Sequence, residues 1–513
     1  MGIVGNLLIL FLCSLCFYLF VALVKILHKL WWTPIRIQYL MSSQGIKGPS
    51  YRFIQGNAKE ILDKRTVARR RPMDLSNDIF SKVEPHIFDW MNSYGRNFLQ
   101  WYGPQAVLVV TEPELIKEIM NNKDRAYPKN KAQGYIKKLL GDGLVTSEGE
   151  KWAKMRKLAN YTLHGESLKS MNPAMIASVE MMLARWKQYE GKEIEVYEEF
   201  RLLTAEVISR TAFGCSYLEG QNIFEMLMKL TLLISTSSLK IRFPGISKIF
   251  KTNDEIESEK LEKGIYAAIT QMIKKREEYV KAGEVDSFGS DFLGLLVKAH
   301  HDADMKISIE DMVDECKTLY IAGQETTNSL LGWTVFLLAV NTEWQEAARK
   351  EVVQLFGKED PKTDELAKLK IMTMIINESV RLYPPISGFE RKVAREVRLG
   401  KLILPANLQL TISNLVLHHD PLLWGEDVNI FKPERFSDGV SRATNNNAAA
   451  FFPFGMGPRA CVGMNFAFNE AKIALSMILQ RYSFTLSPSY IHLPFQILSV
   501  RPLHGIQIRL YPL

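Results

Sequence analysis

Residues 3–24 contain no charged side chain, and so long an apolar run leaves a chain few ways to fold. Wound as a helix at about 1.5 Å per residue, it just covers a bilayer hydrocarbon core of roughly 30 Å. A cleaved signal sequence would have a shorter apolar region, basic residues ahead of it and a small-x-small site behind it, and none of these is seen. One spanning helix is therefore expected within residues 1–30. Lys25, His28, Lys29 and Arg36 follow the run, with Trp31 and Trp32 suited to the headgroup layer, so the remaining chain is expected on the cytosolic side. Gly45, Gly48 and Pro49 interrupt the pattern, and residues 31–50 read as a hinge.

Beyond the hinge no repeat, no Gly/Ser-rich or Pro-rich linker and no second long apolar segment divides the 513 residues, so residues 51–513 read as one large domain. The formal charge of +8 comes from basic residues interspersed with acidic ones. That disfavours nucleic acid and fits an anionic membrane surface or an acidic protein partner. The five cysteines do not make a disulfide framework. Cys13 and Cys16 lie in the apolar run, while Cys215 and Cys316 fall in helix-like apolar patterns and read as buried thiols.

The periodicity predicts a mainly helical α+β domain with small sheets. A strand is expected at 106–111, then a mostly helical stretch to Tyr383, stopped by Pro384 and Pro385. Strands follow at 397–402, at 408–413 and after Tyr482, with 445–450 read as a loop. The longest helical pattern starts at a capping box, Ser308 with Asp311, and runs to about Val340, on the order of 50 Å. At its middle stands Ala322-Gly323-Gln324-Glu325-Thr326-Thr327. These are poor residues for a buried helix centre. One reading is a tolerated kink with solvated polar groups. The other is a widened groove admitting a small ligand against Gly323, with Thr326 and Glu325 handling protons.

Cys461 lies in Phe454-Gly455-Met456-Gly457-Pro458-Arg459-Ala460-Cys461-Val462-Gly463, ahead of another helical pattern. The glycines allow turns that present N–H groups to sulfur, and Arg459 adds positive charge; both favour thiolate. No further Cys or His follows at zinc-ligand spacing. A nucleophilic cysteine would need a base, for which His418, His419, His492 and His504 are open, whereas a lone thiolate holding a haem needs no partner residue.

The segment resembles the cysteine loop F-x-x-G-x-R-x-C-x-G of the cytochrome P-450 superfamily. In the same order, 322–327 resembles the family's oxygen-groove motif, with Glu325 where many members have Asp. Glu378 and Arg381 resemble its E-x-x-R, Phe431 to Phe436 its P-E-R-F segment, and Trp152 and Arg156 its W-x-x-x-R. A second E-x-x-R, Glu346 and Arg349, reads as a solvated helix pair. The likeness spans essentially the whole chain, departing near the hinge, where the proline-rich stretch is reduced to Gly48 and Pro49. His164 to Leu168 and Phe451 to Phe454 are similar to the plant seventy-two clan, whose members oxidise isoprenoids.

This resemblance implies a P-450 fold and a haem whose iron takes Cys461 as axial ligand, with Gly455 and Gly463 shaping the loop and Phe454 shielding the sulfur. It implies Arg459, Arg391, Trp152 and Arg156 at the propionates, a buried network of Glu378, Arg381 and Arg435, and Thr326, Glu325, Gly323 and Ala322 at the oxygen site. Similar positions place substrate contacts at 127–144, 213–243, Leu319, Ala322, 386–389 and 495–498. The implied protein is an endoplasmic-reticulum monooxygenase using O2 and electrons from NADPH-cytochrome P-450 reductase on a hydrophobic, isoprenoid-type substrate such as a triterpenoid, gibberellin or brassinosteroid. Lys151, Lys154 and Lys157 would form a basic stripe for that acidic reductase. Two rivals are a haem-thiolate isomerase or dehydratase acting on a hydroperoxide, and a non-catalytic membrane haem or lipid binder.

Overall fold

The computed structural model describes residues 2–122, 124–237, 251–283 and 287–513. Helix α1 (Gly2–Leu27) is apolar on every face, and its side chains are uncovered, as at Phe11 (64% exposed) and Phe17 (70%). Among the described residues it opens the one helical stretch long and apolar enough to cross a membrane. The helix does not stop at Leu27. It passes through one π-helical turn, His28–Trp32, into α2 (Thr33–Ser43), so most of the segment read as a hinge is helical. The path breaks only at Gly45, whose φ of +85° suits glycine. The Tyr51 hydroxyl donates to the Leu30 carbonyl (2.5 Å), and Gln44 exchanges two hydrogen bonds with Ile403 (3.0 and 2.6 Å), tying the helix to the body.

The helices that position the site are α3 (Gly149–Leu163), α4 (Val196–Phe213), α5 (Tyr217–Ser237), α6 (Ile309–Val340), α7 (Lys370–Leu382) and α8 (Met464–Arg481). The expected capping box starts α6: Ser308 and Asp311 bond each other's backbone N–H at 3.0 and 3.1 Å. From Thr327 to Ala339 every residue of α6 is buried, as an apolar helix crossing a domain must be. The helix runs on through Gly323. A Cβ on Gly323 would lie 2.7 Å from Ile208 Cδ1 of α4. The missing side chain lets α4 and α6 close together.

Strands β1 (Phe98–Tyr102), β2 (Gln105–Val110), β3 (Gly388–Lys392) and β4 (Gln409–Ser413) make one sheet in the order β1-β2-β4-β3. β2 runs parallel to β4, with Val109 opposite Thr411, and β3 antiparallel, with Arg391 opposite Leu410. β1 had no strand signal because Phe98 through Trp101 is buried on both faces and shows no alternation. The strand expected at 397–402 is a hairpin, Val397–Leu399 with Leu402–Leu404, turning at Gly400 (φ +56°). Glu193–Glu195 interrupts the stretch expected to be helical and joins Gln507–Pro512, which also pairs with Tyr482–Leu486. β5 (Pro494–Gln496) and β6 (Val500–Pro502) pair antiparallel. Ala448–Ala450, read as loop, is a 3-10 turn. The main core lies among the helices and a second under the four-stranded sheet.

Candidate cofactor-binding site

Cys461 sits just before α8. The loop ahead of it doubles back so that the Cys461 N–H donates to the Phe454 carbonyl at 2.7 Å. Gly455 (φ +73°) and Gly457 (φ +71°) make this turn possible, and a Cβ on Gly457 would meet the Met120 carbonyl at 2.6 Å. Phe454 packs on Phe468, 5.6 Å between ring centres, and a Cβ on Gly463 would lie 3.9 Å from the sulfur. Cys461 keeps exposed surface although the chain packs closely round it.

Burial raises the Cys461 thiol above its ordinary value, opposed by the Gly463 N–H and by Arg156. The Arg459 guanidinium lies over the Trp152 ring (4.2 Å) and pairs with Glu148 (2.8 Å). Arg156, on α3, is the cation near the sulfur, and it donates to the Ala460 carbonyl at 2.6 Å. Coordination to a metal ionises such a thiol outright. Two of the candidate bases are engaged elsewhere, His419 with Leu382 and Asn429, His492 with Tyr490 and Ser76.

Lys129, which drew no notice in the sequence, joins Arg391 and Arg459. Arg391, on β3, is 3% exposed and donates to the Glu390 carbonyl. Burial and Arg459 push it down to about 10. Lys129 donates from Nζ to the Val145 carbonyl (2.7 Å) and from its backbone to Glu148 (2.8 Å). Burial, Arg391 and Arg459 push it down to about 7. Three cations face one nearby carboxylate, Glu148, which leaves a surplus suited to a ligand carrying two carboxylates. With an accessible sulfur beside this cluster, the donor set fits a haem.

On α6, Thr326 donates to the Ala322 carbonyl (2.6 Å), while Glu325 accepts from the Ser499 hydroxyl (2.6 Å). The two are adjacent in sequence but not bonded, and Gly323 faces α4. One small cavity, of about 20 Å³, is lined by Phe224, Leu227, Ile321, Glu325, Leu498 and Arg501, and so joins two of the segments expected to contact substrate, 213–243 and 495–498, to α6 between Leu319 and Ala322. Residues 238–243 of that expectation lie outside the described residues. Glu378 and Arg381 form a fully buried bidentate pair (2.7 and 2.7 Å); Arg381 also donates to the His418 and Val428 carbonyls, and Arg435 lies 3.5 Å from Glu378. Two expectations need correction. Arg349 pairs with Glu346 as expected, but the pair is not simply solvated: Arg349 is largely buried and also donates to the Leu479 and Tyr482 carbonyls, because its helix packs on α8. Lys151 is not a free charge of the basic stripe, being paired with Asp311 (2.6 Å) and Asp142 (3.1 Å).

The fold and this site define a haem-thiolate protein. Residues 80–506 match the family model Cytochrome P450. The chain belongs to the cytochrome P450 family and is a haem-thiolate monooxygenase. It is 60% identical to "Cytochrome P450 CYP749A22" of Panax ginseng, over 98% of this chain and 96% of that one. It is 40% identical to "Cytochrome P450 72A68" of Medicago truncatula (94% of each) and 38% identical to "11-oxo-beta-amyrin 30-oxidase" of the same plant (95% of each).

Proposed function

We propose that the protein hydroxylates an isoprenoid-type substrate, a triterpenoid by preference over smaller isoprenoids, with electrons from an NADPH-dependent reductase at the endoplasmic-reticulum membrane. The observation that carries this reading is the Cys461 loop set beside the cluster of Lys129, Arg391 and Arg459, a donor set that fits a haem. A similar chain is named as an oxidase of 11-oxo-beta-amyrin, which supports the triterpenoid class. In this reading Cys461 is the single protein ligand to iron. The haem, when bound, would supply the redox chemistry that lets O2, two electrons and two protons convert a C–H bond to C–OH with release of one water.

The chain's own residues do the rest. Arg156 holds the Ala460 carbonyl and so the loop beside the sulfur. Arg391, Arg459, Trp152 and Lys129 orient the cofactor through its two carboxylates. Glu325 and Thr326 hold and move protons at α6, Ala322 accepting from the Thr326 hydroxyl, and Gly323 sets the spacing of α4 against α6. Glu378, Arg381 and Arg435 brace the structure behind the loop. α1 anchors the protein in lipid, and Lys154 and Lys157 offer what remains of the basic stripe to the reductase.

The test is the purified full-length protein with a plant reductase, NADPH and a panel of triterpenoids, gibberellins, brassinosteroids and fatty-acid hydroperoxides. Hydroxylated triterpenoid formed with NADPH consumption supports the reading. Turnover of a hydroperoxide without NADPH, or cofactor and lipid binding with no turnover of any compound, overturns it.

A further inference from the structure

Glu325 lies on α6 with its carboxylate turned toward the strip 499–501 at the chain's end. Ser499, fully buried, donates to Oε1 at 2.6 Å, and Arg501 Nη1 stands 3.9 Å from the same oxygen. This strip is fixed to α6 independently of the acid. The Val500 carbonyl accepts from the Ser329 hydroxyl (2.6 Å) and from the Trp333 indole N–H (2.9 Å), one and two turns further along the helix. The Val500 N–H donates to the Pro385 carbonyl (3.0 Å). Arg501 rests with its guanidinium 5.5 Å from the centre of the buried Tyr197 ring. The Ser499 donor and the Arg501 charge therefore meet Glu325 from a braced frame, which is the condition for fixing a rotamer rather than following it. An aspartate, shorter by one carbon–carbon bond of about 1.5 Å, would fall short of Ser499. The glutamate at this position is matched to the serine.

We propose that Ser499 and Arg501 are positioning residues for Glu325, holding its carboxylate at the wall of the cavity it shares with Thr231, Gln324 and Leu498. The proposal rests on the monooxygenase reading above in assigning Glu325 to proton handling. When the acid is misplaced, O2 takes two electrons from NADPH and two protons, and leaves as hydrogen peroxide instead of being divided between product and water.

The experiment compares the full-length haem-loaded protein with Ser499→Ala, Ser499→Thr, Arg501→Gln, Arg501→Lys, Glu325→Gln and the Ser499→Ala/Glu325→Gln pair. Loss of a hydrogen bond to a charged group predicts roughly tenfold less product per NADPH in Ser499→Ala, with matching peroxide. Substrate affinity read from the haem spectrum stays unchanged, and Ser499→Thr and Arg501→Lys recover coupling. The paired variant is no worse than Glu325→Gln alone. A second readout needs no turnover: the Glu325 carboxylate stretch, isolated as the infrared difference between wild type and Glu325→Gln, shifts in Ser499→Ala. Unchanged coupling together with an unmoved stretch overturns the proposal, as does an additive pair. If wild-type protein oxidises nothing with its reductase, the functional reading fails, and the infrared comparison still decides whether Ser499 holds the acid.

Discussion

Arg156 Nη1 lies 2.6 Å from the carbonyl oxygen of Ala460, the residue next to the candidate iron ligand. Through this bond α3 grips the cysteine loop from outside, and the same guanidinium is the cation that favours a charged sulfur. Arg156→Leu removes both effects. A charge-assisted hydrogen bond is worth about 1.5–3 kcal/mol, so haem should be held roughly 10- to 100-fold less tightly. Haem transfer to an acceptor apoprotein measures this. A wild-type transfer rate in Arg156→Leu would show that the loop stands without α3.

Much of this was legible in the sequence, and what was missed has common causes. Glu378 and Arg381 are three residues apart on one helix, so their pairing is local and readable. Ser499 and Arg501 reach Glu325 across more than 170 positions, and no periodicity announces such a contact. Lys129 looked like one lysine among many, because its meaning comes from Arg391 and Arg459, brought to it from β3 and the cysteine loop. Arg459 shows the opposite case. Its nearness in sequence to Cys461 hid the stronger claim of Trp152 and Glu148 on its guanidinium.

The Glu378–Arg381 pair carries a stability prediction. Both side chains are fully buried, and Arg381 also holds the His418 and Val428 carbonyls. Glu378→Gln leaves the Arg381 charge without its partner in a dry interior, at a cost of roughly 3–5 kcal/mol. The variant should accumulate little folded protein and unfold at markedly lower urea concentration. Lys432→Ala, which keeps the backbone N–H that reaches Glu378 at 3.1 Å, should unfold close to wild type.

The cluster of Lys129, Arg391 and Arg459 predicts a pH dependence that distinguishes apoprotein from holoprotein. Lys129 is pushed down to about 7 in the fold, against about 10.5 in an unfolded chain. Between those values the unfolded chain keeps a proton that the folded one has released, so stability rises with pH across this window and is lowest below it. Two cofactor carboxylates beside Lys129 would favour its charged form and flatten the rise. Melting temperature from pH 7 upward should therefore climb more steeply for apoprotein than for holoprotein, and Lys129→Met should erase that contrast. Equal slopes in the two wild-type forms would place the carboxylates away from Lys129.

Gly323 yields the last prediction, and it separates packing from ligand access. Alanine is the better helix former by about 1 kcal/mol, so Gly323→Ala would stabilise α6 if the position were open. It is not: the new Cβ would lie 2.7 Å from Cδ1 and 3.1 Å from Cγ1 of Ile208, which is itself 2% exposed. Overpacking costs roughly 1–3 kcal/mol, enough to cancel or reverse the helical gain. Removing the offending methyl with Ile208→Val should make the two substitutions together more stable than Ile208→Val alone, a non-additive result expected of side chains in contact. Additive urea midpoints across this double-mutant cycle would mean that α4 and α6 are not in van der Waals contact at Gly323, and that the glycine serves the groove side of the helix instead.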